Sequence, residues 1–151
     1  MPSQNHYPKK YIDECRSKLA AQVFIYQALV AAARKQTGPV NPQLAIALTA
    51  FESVFFNNMV IVMDRYFVQR MRAMEMKDGN SLNEVRMLVN SMMNNDSKLY
   101  PDNTIKYDPA RSVLKYRIGD EIKVKEAEFI LLSSAFFADL EKKYVSPVRG
   151  E

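Results

Sequence analysis

Apolar side chains recur at alternating steps of three and four from Ile12 through Cys15, Leu19, Val23, Tyr26 and Val30 to Ala33. That spacing predicts an amphipathic helix over about residues 8–36, ended by Gly38-Pro39. A second run, about Pro42 to Lys77, is apolar on nearly every side as far as Met63. A helix apolar all round belongs at the centre of a bundle or across a subunit interface. Its far end turns basic, and Asn58, Arg65 and Arg72, spaced by seven, form one polar stripe. A third helix is expected from Ser81 to Asn94, opened by Ser81-Leu82-Asn83-Glu84 in the form of a capping box. Its core face is Leu82, Val85, Val89 and Met92, while Arg86, Asn90 and Asn94 follow at steps of four on another face.

The period then changes. Val113 to Ile118 alternates roughly by two, Gly119-Asp120 supplies a turn and Glu121 to Val124 continues the pattern. These signals predict a β-hairpin within an insert of about residues 104–124, lying against the helices because a lone hairpin is marginal in water. A last helix, about Lys125 to Tyr144, turns Phe129, Leu132, Phe136, Leu140 and Tyr144 to the core. The expected fold is all-α: a four-helix bundle with a long central second helix and a small β-hairpin insert between helices 3 and 4. No repeat or Gly/Ser linker divides residues 1–151, so one helical domain is expected, with disordered ends at about 1–7 and 146–151.

Composition narrows the chemistry. One cysteine, Cys15, rules out an internal disulfide, and one histidine, His6, leaves neither a common zinc site nor a placed base for a nucleophile triad. Four glycines, none in a spaced run, remove phosphate-cradling loops. No metal and no cofactor are therefore expected, and a non-enzymatic role is favoured. The polar start Met1–His6 lacks the layout of a signal peptide, and a free thiol fits a reducing compartment, so a cytoplasmic location is expected. Residues 44–63 have the length of a membrane span, but Glu52, Asn57 and Asn58 interrupt them and point to a core helix, with no membrane partner. The net charge of +4 arises in residues 1–40, with six basic side chains against two acidic. That excess could steer a polyanion, or form a solvated helix face.

Two groups of residues stand out as sites. Glu52, Asn57, Asn58 and Asp64 lie in or beside the apolar run, where buried polar groups need partners; they are candidates for a polar pocket of a bundle that binds a small molecule or acts on it catalytically. The second group lies at the end of the third helix. Arg86-Met87-Leu88-Val89-Asn90-Ser91-Met92-Met93-Asn94-Asn95, followed by Gly119-Asp120-Glu121-Ile122 before the last helix, resembles the end of a HEPN-type domain. Those small helical bundles often dimerise, and many are RNases or partners in toxin–antitoxin and defence systems. In the family an Arg-Asn pair precedes a His. Here Asn90 matches the Asn, whereas Val89 stands at the Arg position and Asn94 at the His position. Without an imidazole there is no acid or base near neutral pH for a ribose hydroxyl. The resemblance, over about residues 80–144, thus implies a non-catalytic member acting by dimerisation and by binding RNA or a protein partner. Its binding residues would be Arg86, Asn90 and Asn94, with Arg65 and Arg72 as phosphate contacts. A further alternative is a structural homodimer joined through the apolar second helix.

Overall fold

The computed structural model describes residues 3–36 and 41–145. Within them the chain is all-α, with helices α1 (Lys9–Gln36), α2 (Pro42–Tyr66), α3 (Arg72–Glu75), α4 (Ser81–Asn94) and α5 (Glu126–Tyr144) and no strand. The expected tail from 146 onward and residues 1–2 lie outside the described residues.

The helices form a bundle in which α2 packs on α1, α4 and α5, and α5 also packs on α1, α3 and α4. Asn41 starts α2, its side-chain oxygen accepting from the Leu44 amide at 3.1 Å, and Pro42 occupies the first turn, where no donor is needed. Phe56, Met59, Val60 and Met63 then recur at helical spacing and are all buried. Phe56 meets Tyr26 of α1 with ring centroids 4.8 Å apart and Phe129 of α5 at 5.6 Å, so three helices share one aromatic contact.

The central position expected for the second helix holds for its C-terminal half alone. Ile46, Phe51 and Val54 are 70%, 41% and 60% exposed, and the buried residues of α2 all lie from Phe56 onward. By length and composition α2 could cross a membrane, and 22% of its most apolar stretch is buried.

The helix also ends at Tyr66 rather than near Lys77. The chain turns at Phe67, whose amide donates to the Asp64 carbonyl at 3.0 Å. It then runs extended beside the N-terminal segment: the Gln4 amide donates to the Gln69 carbonyl at 2.6 Å, and the Met71 amide to the Gln4 carbonyl at 2.7 Å. Asn58, Arg65 and Arg72 therefore do not form one helical stripe. The same pairing draws on the segment expected to be a disordered end. Tyr7 is buried, its amide donates to the Tyr144 carbonyl at 2.9 Å, and its ring packs edge-on against Phe67 at 5.1 Å.

The β-hairpin expected in residues 104–124 does not form. Lys115 adopts φ 62°, which breaks the extended run of 113–118, and the neighbouring amides have other partners. The buried Glu84 carboxylate accepts from the Val113 amide at 2.8 Å and the Leu114 amide at 2.9 Å. Residues 119–122 pair instead with 97–99: the Gly119 amide donates to the Leu99 carbonyl, and the Ile122 amide to the Ser97 carbonyl. Glu84 is thus an anchor for the insert and not a member of a capping box. The cap of α4 is Asn80, which accepts from the Leu82 and Asn83 amides at 2.9 and 3.1 Å, while the Ser81 hydroxyl donates to Asp139 at 2.6 Å. Glu84→Ala leaves two amides without acceptors and is expected to cost about 2–4 kcal/mol. Hydrogen exchange would show it as lost protection at Val113 and Leu114 ahead of the core helices.

Candidate functional site

Arg65, Arg72, Arg86, Asn90 and Asn94 line one open groove of about 500 Å³, with Asp64, Tyr100 and Asp102 also in its walls. Helical spacing on α4 explains three of these: Arg86, Asn90 and Asn94 stand one above another, and the Asn94 amide nitrogen donates to the Asn90 side-chain oxygen at 2.9 Å. The last turn of α2 supplies Asp64 and Arg65. Arg72 arrives by the turn between α2 and α3, so the bend that breaks the stripe still returns its guanidinium to the same place.

Beneath the groove lies a buried ionic network. Glu75 is fully buried and accepts from Arg70 Nε at 2.6 Å, Asn83 Nδ2 at 2.7 Å, and Arg86 Nε and Nη2 at 3.0 and 2.7 Å. Arg70, whose side chain has no exposed surface, also donates to Asp64 Oδ1 at 2.8 Å and to the Phe67 and Leu82 carbonyls. Burial pushes the Glu75 carboxyl up, but the Arg86 hydrogen bonds and the charges of Arg70 and Arg86 outweigh it and hold the group below the usual carboxylate range. Burial likewise works against the Arg86 cation, and Glu75 more than restores it.

This geometry divides the arginines. Arg86 is a quarter exposed and committed to Glu75 through two nitrogens, so it anchors the groove floor. Arg65 is exposed and makes no ion pair among the described residues. Arg72 makes one long contact, Nη2 to Thr104 Oγ1 at 3.4 Å, while its buried Nε has no acceptor. An unmade hydrogen bond at a buried cationic nitrogen costs more than about 1 kcal/mol. Asp102 is occupied by Thr104, whose hydroxyl and amide donate to it at 2.6 and 2.9 Å and hold its carboxyl low. Tyr100, 55% exposed, offers a ring face beside these cations.

The other candidate group does not converge. Glu52 is half-buried and accepts from the Glu126 amide at 3.0 Å, so its charge sits at the N-terminus of α5. Asn57 spans residues 122–124, donating to the Ile122 carbonyl at 2.8 Å and accepting from the Val124 amide at 2.9 Å. Asn58 is exposed and donates to the Val54 carbonyl within its own helix. Only Asp64 of the four reaches the groove, where Arg70 holds it. No cluster of three or more His, Cys, Asp or Glu suited to a metal occurs among the described residues.

Sequence reasoning missed Arg70 and Glu75, on which the groove is built. Their signal was faint: Arg70 and Glu75 lie among Phe67, Val68, Met71 and Met74 with no helical period to assign them a side. The N-terminal charge excess did not mark the groove either, since Lys9 pairs with Asp13 and Arg16 with Asp13 and Glu141. No protein-family model matches the chain, and no curated protein or solved structure is found to be similar to it.

Proposed function

We propose that this chain is a non-catalytic, HEPN-like four-helix bundle, framed by α1, α2, α4 and α5, that binds single-stranded RNA in the α2–α4 groove. The observation that carries the reading is the convergence of Arg65, Arg72, Arg86, Asn90 and Asn94 on that groove. Each has a separate task. Arg65 and the terminal nitrogens of Arg72 meet phosphate oxygens. Asn90 and Asn94 at the mouth carry amide groups able to pair with base edges, and Tyr100 provides a stacking face. Arg86 keeps the floor rigid by holding Glu75.

Val89, at the position of the family's arginine, packs against the core, and Asn94 supplies no proton at neutral pH. This supports binding without cleavage.

The test is fluorescence anisotropy of a labelled 12-nucleotide single-stranded RNA, titrated at several salt concentrations. Arg65→Ala with Arg72→Ala, which spares the buried network, is expected to weaken binding at least ~10-fold at low salt. It should also flatten the slope of log K against log salt by about 1.4, since each of the two lost phosphate contacts removes about 0.7. Absence of binding by the native chain at low salt, or an unchanged slope in the variant, would refute the proposal.

A further inference from the structure

A groove of about 340 Å³ runs between the C-terminal half of α1 and the N-terminal half of α2, and meets α5 at its first residue, Glu126. It shares no residue with the α2–α4 groove.

One end is acidic. Glu52 accepts from the Glu126 amide through Oε2 at 3.0 Å, and Glu126 accepts from Gln27 through its own Oε2 at 2.6 Å. Each carboxylate keeps its other oxygen without a hydrogen bond among the described residues, and neither has an ion pair there. Tyr26 lines the same groove and is only 6% exposed, its ring stacked on Phe55 at 5.2 Å and on Phe51 at 6.0 Å. Its hydroxyl makes no hydrogen bond among the described residues. Burial, and then the charges of Glu52 and Glu126, push that hydroxyl up, so both carboxylates act on it at short range. Three acceptors with no donor supplied to them therefore stand together.

The other end is basic. Arg34 lies two helical turns beyond Tyr26 on α1, about 12 Å along the axis, and forms no ion pair among the described residues. Asn41 and the first turn of α2 also line the groove and add the partial positive charge of a helix N-terminus. Val30, Leu44 and Leu48 supply an apolar wall.

This layout selects a ligand with unlike ends. A primary ammonium has three N–H donors, one each for Glu52, Glu126 and the Tyr26 oxygen. A carboxylate suits the planar donors of a guanidinium. An extended peptide of three residues spans about 10 Å, close to the separation of the two ends. A metal ion would leave Arg34 and the apolar wall unused, and a polyamine would set a cation against Arg34. We propose that this groove binds a linear peptide of about three residues, its free amino terminus held by Glu52, Glu126 and Tyr26 and its carboxylate by Arg34. The inference does not rest on RNA binding in the α2–α4 groove, and either can fail alone.

Isothermal titration calorimetry of the full chain with alanyl-leucyl-alanine tests it. The native protein should bind the free peptide with Kd below ~1 mM, and N-acetylation or C-amidation of the peptide should each weaken binding at least ~10-fold. Glu52→Gln keeps an acceptor for the Glu126 amide and Tyr26→Phe keeps the ring stack, so circular dichroism should show native helix content in both. Each should weaken the free peptide at least ~5-fold. Arg34→Ala should weaken the free peptide ~10-fold and leave the C-amidated one unchanged, because the interaction it removes is already absent there. Binding of the free peptide weaker than ~1 mM, or none, would overturn the proposal. So would equal affinity for free and blocked peptides, or native affinity in Glu52→Gln and Arg34→Ala.

Discussion

Replacing Glu75 by alanine is expected to lower stability by about 3–5 kcal/mol, the cost of leaving buried cations without their partner. Arg70 has no exposed surface and Arg86 is only partly exposed, so neither guanidinium can turn to water without opening the bundle. For a domain of this size the loss corresponds to a fall in melting temperature of about 6–20 °C. The pH dependence fixes the sign independently. The Glu75 carboxyl is held below its ordinary range in the folded chain, so its stabilisation is complete above that range. It is lost as pH falls through the lowered folded value. Native protein should therefore lose stability more steeply on acidification below about pH 4.5 than Glu75→Gln, which carries no titrating group there. Parallel acid profiles for the two proteins would show that Glu75 contributes nothing through its charge.

Gly79→Ala is the second large effect, expected at about 2–5 kcal/mol by chemical denaturation. Two causes add. Gly79 has φ 87°, where a side chain costs about 1–2 kcal/mol. Its Cβ would also stand 2.3 Å from the Lys106 carbonyl oxygen, a backbone atom that no rotamer can move. The loop sits close against 106 because the Lys106 amide donates to the Lys77 carbonyl at 2.9 Å. Displacing it disturbs Asn83, which accepts from the Gly79 amide and donates to Glu75, so the damage passes to the groove floor. Gly119→Ala separates the causes. Gly119 has φ 93° with open space around the new carbon, so it should cost only the backbone term of about 1–2 kcal/mol. Equal losses at the two glycines would mean that the Lys106 contact yields freely.

The long periodic segments were readable because burial there is set by local spacing. The ends expected for the first, third and last helices fall within about one residue of α1, α4 and α5. What failed depended on partners distant in sequence. The alternation of 113–118 suggested a strand, but Glu84, some thirty positions earlier, takes the amides a strand partner would need. Gln4 pairs with Gln69 and Met71 through backbone groups, which side-chain pattern does not report. The candidate site was read in the same uneven way. Arg86, Asn90 and Asn94 were visible as one face of one helix. Arg70 and Glu75 were not, since their burial arises from a turn, and Glu52 and Asn57 serve as caps and struts for residues 122–126.

The proposal that the α2–α4 groove binds RNA is tested most directly by following the arginine Nε–Hε resonances of the isotope-labelled full chain by NMR as single-stranded RNA is added. The account predicts that the Arg72 and Arg65 signals move together and saturate, while buried Arg70, already bonded to Glu75 through Nε, stays in place. Saturable RNA binding that leaves the Arg72 and Arg65 signals unmoved would place the RNA elsewhere on the chain and contradict the groove reading.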